Sequence, residues 1–104
     1  MVMSRLESLQ SLIEQNPADG RIRFMLAMEL LGSAQPAAAL AAFDALIALD
    51  ANYVAAYFQA GRAAESQSDT AAARAYYERG IEAATRTGDR HALSEIGDAL
   101  AMLA

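Results

Sequence analysis

A repeat of 34 residues constrains the fold of this chain more than any other feature of its sequence. Residues 54–87 align with residues 20–53 without a gap, and the paired positions agree in size and polarity more than in identity. The aligned pairs include Leu26 with Ala60, Ala27 with Gly61, Leu30 with Ala64, Ala39 with Ala73, Phe43 with Tyr77 and Ile47 with Ile81. A shift back by a further 34 residues aligns Phe43 with Leu9. The opening segment therefore continues the same columns, that is, the sets of residues that share one position of the repeat. Equal units of this kind stack and offer a surface, and we expect no catalytic centre.

The composition favours a single all-α domain. The chain has 104 residues, which is enough to bury a core without disulfides, and it has no cysteine for disulfides or thiolate metal sites. Alanine makes up a quarter of the residues, β-branched residues are few, and no run alternates with a period of two. Alanine favours helices and lets them approach closely.

The charge pattern excludes two classes of partner. The net charge is −5, and the arginines are scattered singly, whereas nucleic-acid phosphates require clustered positive charge. Charged residues also interrupt every apolar run before the roughly 18 residues that a membrane span needs. We therefore expect neither a nucleic-acid nor a membrane partner. The first residues show no secretory signal, so a cytoplasmic location is the default expectation.

Helical spacing and capping residues predict six helices. They span about residues 5–15, 21–31, 36–49, 53–67, 70–86 and 90–103. Their ends are marked by Ser4 with Glu7, Asn16-Pro17, Asp19, Pro36, Asp50, Asn52, Asp69 and Gly88-Asp89. Gly61 lies inside the fourth helix at a cost of roughly 1 kcal/mol relative to alanine. We expect another backbone to lie against it.

These residues resemble the tetratricopeptide repeat family. With Val54 as position one, the small residues of the pattern are Gly61 at position eight and Ala73 at position twenty, and its aromatic is Tyr77 at position twenty-four. Arg23 departs from the pattern, since it stands where the family usually has a large aromatic. The resemblance covers nearly the whole chain. It implies one α-solenoid domain over residues 1–104, a right-handed superhelix of helix pairs with a leading helix in 1–17, repeats in 20–53 and 54–87, and a capping helix in 89–104.

The resemblance also implies a concave face formed by the first helix of each pair, which in family members holds peptides or partner helices. The predicted partner-binding residues are Arg21, Phe24, Met28, Leu31, Phe58, Arg62, Glu65, His91 and Asp98. The spacing of Phe24, Met28 and Leu31 independently shows a second apolar stripe, beyond what one buried face needs. The alternative is that the apolar members fill gaps in the core. Arg62 is a candidate to hold a carboxylate, or it pairs within the chain with Glu65 or Asp98.

Two hypotheses on function follow. The first is a non-enzymatic adaptor that binds a peptide or helix of a partner protein in the concave groove, without a cofactor. The second is a homodimeric scaffold in which the exposed ends or the same apolar stripe pair two copies. The apolar residues expected to be exposed on the first helix and at Met102-Leu103 motivate it. His91 is the only histidine, and one histidine near Glu95 is weak evidence for a metal or an acid-base role.

Overall fold

The computed structural model describes residues 2–103, which form six α-helices and no β-strand. The helices are α1 (Arg5–Gln15), α2 (Gly20–Gly32), α3 (Pro36–Leu49), α4 (Val54–Ser66), α5 (Thr70–Thr87) and α6 (Arg90–Ala101). The predicted all-α architecture is confirmed, and the helix ends lie within two residues of the predicted ones.

Short polar side chains fix where four of the helices begin. Ser4 accepts a hydrogen bond from the Glu7 backbone N–H, and the Glu7 carboxylate accepts one from the Ser4 N–H, which completes the predicted capping box. Asp19, Asp69 and Asp89 each accept a hydrogen bond from the backbone N–H three residues further on. These caps satisfy N–H groups that lack partners inside the helix, and so they set the register of the helices in the stack.

The helices stack in chain order, as in a tetratricopeptide-type solenoid. Each helix packs against its neighbours in the chain, most extensively within the pairs α2–α3 and α4–α5, while α2 also contacts α4, and α4 also contacts α6. The even-numbered helices therefore lie side by side in one layer, and the odd-numbered helices lie behind them. This layering leaves one face of α2 and α4 free of the odd-numbered helices, and the candidate site lies there.

Large side chains and alanines alternate in the core. Phe43, Leu46, Tyr77 and Ile96 are the largest fully buried side chains. Alanines that contribute to the same core are Ala27, Ala39, Ala56, Ala60, Ala64, Ala73, Ala83 and Ala84. Because an alanine adds only a methyl group, neighbouring helices come close enough for the few large side chains to fill the space between them.

Glycines and tyrosines interlock between α4 and α5. A Cβ atom added to Gly61 would lie 2.2 Å from Cε1 of Tyr77. A Cβ atom added to Gly80 would lie 2.9 Å from Cβ of Tyr57. The expectation that a backbone lies against Gly61 was wrong, because an aromatic ring occupies that space. A flat aromatic ring and a close backbone both require that the facing residue has no side chain. A glycine in the sequence pattern therefore does not show which of the two lies against it.

Arg23 preserves a hydrogen bond of the repeat although it replaces the aromatic residue. In the second repeat, the Tyr57 hydroxyl donates to the carbonyl oxygen of Ala51 at 2.7 Å. In the first, Nε of Arg23 donates to the carbonyl oxygen of Pro17 at 2.8 Å. Both donor and acceptor are displaced by one repeat length. The helix therefore remains tied to the preceding turn while the donor changes from a phenol to a guanidinium.

Stability is expected to fall between pH 10 and 12. Burial, together with a 2.7 Å hydrogen bond from the Tyr76 hydroxyl to Oδ1 of Asp44, raises the pKa of Tyr76 from 10.0 to about 12. The unfolded chain loses this proton at lower pH than the folded chain, so it binds fewer protons in that window and unfolding becomes easier as pH rises. Urea unfolding at several pH values measures the effect.

Tyr76→Phe is the control for this prediction, because it removes the titrating group and keeps the ring. The slope of stability against pH above pH 10 should become shallower in Tyr76→Phe without vanishing, since burial and the hydrogen bond to Glu65 also raise the pKa of Tyr77. An unchanged slope in Tyr76→Phe would contradict the role given to Tyr76.

Candidate peptide-binding groove

A groove of about 310 Å³ lies between α2 and α4. Its lining residues are Met28, Leu31 and Gly32 from α2, and Gln59, Arg62 and Ser66 from α4. The α2 side is apolar and the α4 side is polar. The two sides come together because the even-numbered helices lie in one layer and the odd-numbered helices do not cover that face.

The apolar side of the groove consists of Met28 and Leu31. Both side chains are half-buried and pack against the main core, so their inner parts are fixed while their outer parts face the groove. A methionine adapts its shape to different neighbours because it is unbranched and has three rotatable bonds. This side of the groove suits an apolar side chain of a ligand.

Arg62 supplies the positive charge of the groove. Its side chain is exposed, and its Cζ atom lies 5.9 Å from the centre of the Phe58 ring, within the range of a cation–π contact. Within residues 2–103, Arg62 forms no ion pair at 4.0 Å or less. The predicted alternatives, an ion pair with Glu65 or with Asp98, are therefore not formed, and the guanidinium N–H groups can donate to a carboxylate from another molecule.

Glu65 is engaged by a different partner. The Tyr77 hydroxyl donates a hydrogen bond to Oε2 of Glu65, which joins α5 to α4. Burial is the largest cause that raises the pKa of the Tyr77 phenol, and the hydrogen bond to Glu65 is the next. The Glu65 carboxylate thus anchors a core tyrosine, and it does not line the groove.

Gln59 carries an unsatisfied polar atom beside the groove. Its Oε1 atom is covered and has no hydrogen-bond donor in the described part of the chain. A covered amide oxygen without a donor costs about 1–3 kcal/mol. Gln59 also lines the groove, so this cost falls on a residue of the α4 wall.

Two aromatic residues predicted for partner contact lie partly inside the molecule. The ring of Phe24 stacks on Tyr53 with centroids 5.4 Å apart and meets Phe43 edge-on at 6.0 Å. The ring of Phe58 lies 6.2 Å from that of Tyr77. Phe24 and Phe58 are half-buried, and neither lines the groove. Both rings pack against other aromatic side chains of the molecule, and their role in partner contact stays a prediction.

The remaining predicted residues lie on the exposed surface, away from the groove lining. Arg21, at the start of α2, is exposed. On α6, His91 and Asp98 are exposed, and Nε2 of His91 lies 4.0 Å from Oε2 of Glu95. The structure therefore brings together Met28, Leu31 and Arg62 of the predicted set, and partner contact by the rest stays a prediction.

Three lining residues were missed in the sequence. Gln59 and Ser66 share a stripe of α4 with Arg62, at spacings of three and four residues, and this polar stripe was a usable signal. Gly32 ends α2 and offered no such signal, because it lines the groove only through the position of its backbone.

No helix within residues 2–103 combines the length and apolar character needed to span a bilayer. The described side chains also contain no group of three or more histidine, aspartate or glutamate residues arranged to hold a metal ion.

The stacked helix pairs and the groove on one layer define a helical-repeat protein of the α-solenoid class. The sequence profile of the tetratricopeptide repeat matches residues 54–86. A tetratricopeptide repeat domain protein from Salinibacter ruber, solved by NMR in solution, is 37% identical, with a TM-score of 0.76 over 81% of this chain and 85% of that one. The chain belongs to the tetratricopeptide repeat family. Members of this family are, in general, protein-interaction modules and typically non-enzymatic scaffolds.

Other comparisons agree on the fold. A protein from Bordetella parapertussis, solved in solution, is 28% identical, with a TM-score of 0.82 over 95% of this chain and 86% of that one. The type III secretion translocator chaperone SycD of Yersinia enterocolitica has a TM-score of 0.83 over 91% of this chain and 66% of its own. At 14% identity, SycD shows the fold alone. A search among curated proteins returned no match.

Proposed function

We propose that the chain is a non-enzymatic adaptor that binds an extended peptide segment of another protein in the groove between α2 and α4. One apolar side chain of the peptide rests on Met28 and Leu31, and a nearby carboxylate pairs with Arg62. The observation that carries this proposal is the meeting, in one groove, of an apolar wall with a guanidinium that has no carboxylate partner within the described chain. In this proposal, residues 20–53 and 54–87 are the two repeats, and residues 1–17 and 89–104 flank them.

The size of the groove favours a single side-chain anchor. Pockets for small molecules usually enclose about 300–1,000 Å³. At about 310 Å³ this groove lies at the lower end of that range. Its volume suits one bulky apolar side chain of a peptide whose remaining residues follow the surface.

The charge of Arg62 favours an acidic residue beside the anchor. The chain has a net charge of −5, so a highly acidic peptide is repelled as a whole, and a single well-placed carboxylate is preferred. An exposed ion pair contributes about 0.2–1 kcal/mol, so Arg62 sets selectivity more than affinity.

We place this binding in the cytoplasm, because a chain without cysteine has no disulfides that require an oxidising compartment.

Charge reversal at Arg62 is expected to change which peptide binds. The probes are short acetylated peptides with one leucine and one aspartate at varied separations, and a matched series with lysine in place of aspartate. Arg62→Glu should weaken binding of the best aspartate probe by about 3- to 10-fold, which corresponds to roughly 0.7–1.4 kcal/mol. The same variant should strengthen binding of the lysine probe. Fluorescence anisotropy measures both affinities.

Arg74→Glu is the control for net charge, because Arg74 is exposed on α5 and changes the charge of the chain equally. Met28→Ser and Met25→Ser form a second matched pair on α2, since Met25 is 39% exposed and does not line the groove. Met28→Ser should lower affinity for both probes, and Met25→Ser should leave it unchanged. Equal effects within either pair would overturn the groove assignment.

A homodimer formed through the same apolar surface is the alternative. Such a dimer would hide Met28, so Met28→Ser would dissociate it while Met25→Ser would not. Light scattering on these two variants separates this alternative from peptide binding.

A further inference from the structure

We infer that Gly32 is a binding determinant of the groove, because its missing side chain lets the main chain of the bound peptide cross the end of α2 in direct contact with the helix. The inference rests on the proposed peptide binding. It adds which part of the peptide lies at this end of the groove, namely an extended main chain and not a side chain.

The backbone of α2 does not require a glycine at position 32. The chain leaves α2 through a left-handed residue, but that residue is Ala34, with a φ of 57°. Helix α4 ends in the same way at Ser68, with a φ of 59°. Among the glycines of the described chain, Gly88 alone has a positive φ. Ser66 occupies the equivalent position of α4, 34 residues after Gly32, so a residue with a side chain fits this helix end.

Packing inside the molecule does not require the glycine either. A Cβ atom added to Gly61 would lie 2.2 Å from Cε1 of Tyr77. Beyond its chain neighbours and its own stretch of helix backbone, no atom lies within 4 Å of a Cβ atom added to Gly32. Gly32 is exposed and lines the groove, and glycine is a poorer helix former than alanine. The missing side chain therefore keeps open only the space of the groove.

The groove has two levels along its helices, and each level consists of two equivalent positions of the repeat. Met28 and Arg62 form the first level, and Gly32 and Ser66 form the second, one helical turn further on. The first level carries two long side chains. At the second, the Ser66 hydroxyl donates to the carbonyl oxygen of Ala63 at 2.6 Å, which holds this side chain against its own helix. The groove is therefore least obstructed where α2 and α4 end.

The geometry of an extended peptide places its main chain at this second level. A helical turn advances about 5.4 Å and an extended chain about 3.3 Å per residue, so a peptide whose leucine rests on Met28 reaches Gly32 about one or two residues later. Successive side chains of an extended chain point to opposite sides. The residue next to the inward-pointing leucine therefore directs its side chain away from the groove and presents its main chain to Gly32.

Gly32→Ala and Gly32→Val test the inference with the best leucine–aspartate probe in fluorescence anisotropy. Gly32→Ala should weaken binding by roughly 5- to 10-fold, because the new methyl group occupies the space of the peptide main chain. Gly32→Val should weaken it by more than about 50-fold, because valine branches at Cβ and cannot turn its bulk aside. Gly32→Ala should unfold at the same temperature as the wild type or at a higher one, since alanine favours the helix.

Gly97→Ala and Gly97→Val are the matched controls. A Cβ atom added to Gly97 also has open space around it, and Gly97 does not line the groove. Both controls should bind the probe like the wild type, and equal losses at the two positions would overturn the inference. A Gly32→Ala variant that unfolds at a lower temperature would also overturn it, because the glycine would then serve the fold.

Two further outcomes separate this inference from the proposed function. If Gly32→Ala binds as tightly as the wild type while Met28→Ser binds more weakly, the inference is wrong and the proposed function stands. If the wild type binds no probe, both are wrong. A probe with glycine on each side of the leucine should not restore binding to Gly32→Ala. Restored binding would show that a side chain of the peptide, and not its main chain, lies against Gly32.

Discussion

Truncation of Tyr77 to alanine is expected to lower the free energy of unfolding by about 3–5 kcal/mol. The ring is fully buried, fills the space beside Gly61 and lies 6.2 Å from the Phe58 ring. Its loss leaves a cavity between α4 and α5 that small neighbouring residues cannot fill by moving. Urea unfolding followed by circular dichroism gives the difference directly.

Tyr77→Phe separates the ring from its hydroxyl. This variant keeps the packing and removes only the hydrogen bond to the exposed Glu65 carboxylate, so it should lose about 1.5 kcal/mol, the lower end of the range for a hydrogen bond to a charged group. If Tyr77→Ala unfolds at the same urea concentration as the parent, the core between α4 and α5 is wrongly assigned. If Tyr77→Phe loses as much as Tyr77→Ala, the hydroxyl and not the ring holds these helices together.

Introduction of leucine at Gly61 is expected to lower stability by about 3 kcal/mol, the upper end of the usual range for overpacking. The new Cβ atom would lie 2.2 Å from Cε1 of Tyr77 and within 2.7 Å of Cζ, so the whole ring must move. Thermal and urea unfolding measure the loss. In a Tyr77→Ala background the same substitution should cost much less, because the space beside Gly61 is then empty.

Gly97→Leu is the matched control for Gly61→Leu. Gly97 of α6 corresponds to Gly61 of α4 at a shift of 36 residues. No atom outside its own stretch of helix backbone lies within 4 Å of a Cβ atom added to Gly97. Leucine has a better helix propensity than glycine, so Gly97→Leu should leave stability unchanged or raise it by up to about 1 kcal/mol. Equal losses at Gly61 and Gly97 would show that the close contact with Tyr77 does not decide the cost.

The helices and the buried columns were predictable because both follow from local signals. The repeat placed Phe43 and Tyr77 in one column, and both are fully buried. Capping residues such as Asp69 and Asp89 begin helices wherever the chain leaves a turn, so helix ends required no knowledge of tertiary contacts.

The partners of individual side chains were not predictable from the repeat. The repeat shows which residues occupy equivalent positions, but it does not show whether a ring or a backbone lies beside Gly61. It also does not show that the Glu65 carboxylate accepts from Tyr77 twelve residues further on. Gln59 was missed for a related reason, because a polar residue next to a predicted face is indistinguishable from a hydrated one until the neighbouring helix is in place.

The most direct test of the peptide-binding groove is a titration of the ¹⁵N-labelled chain with the leucine–aspartate probe, followed in ¹H–¹⁵N correlation spectra. The groove predicts that the largest shift changes fall on α2 and α4, around Met28, Leu31, Gln59 and Arg62. Changes confined to α1 and α6, or spectra that do not change at millimolar probe, would contradict binding between α2 and α4.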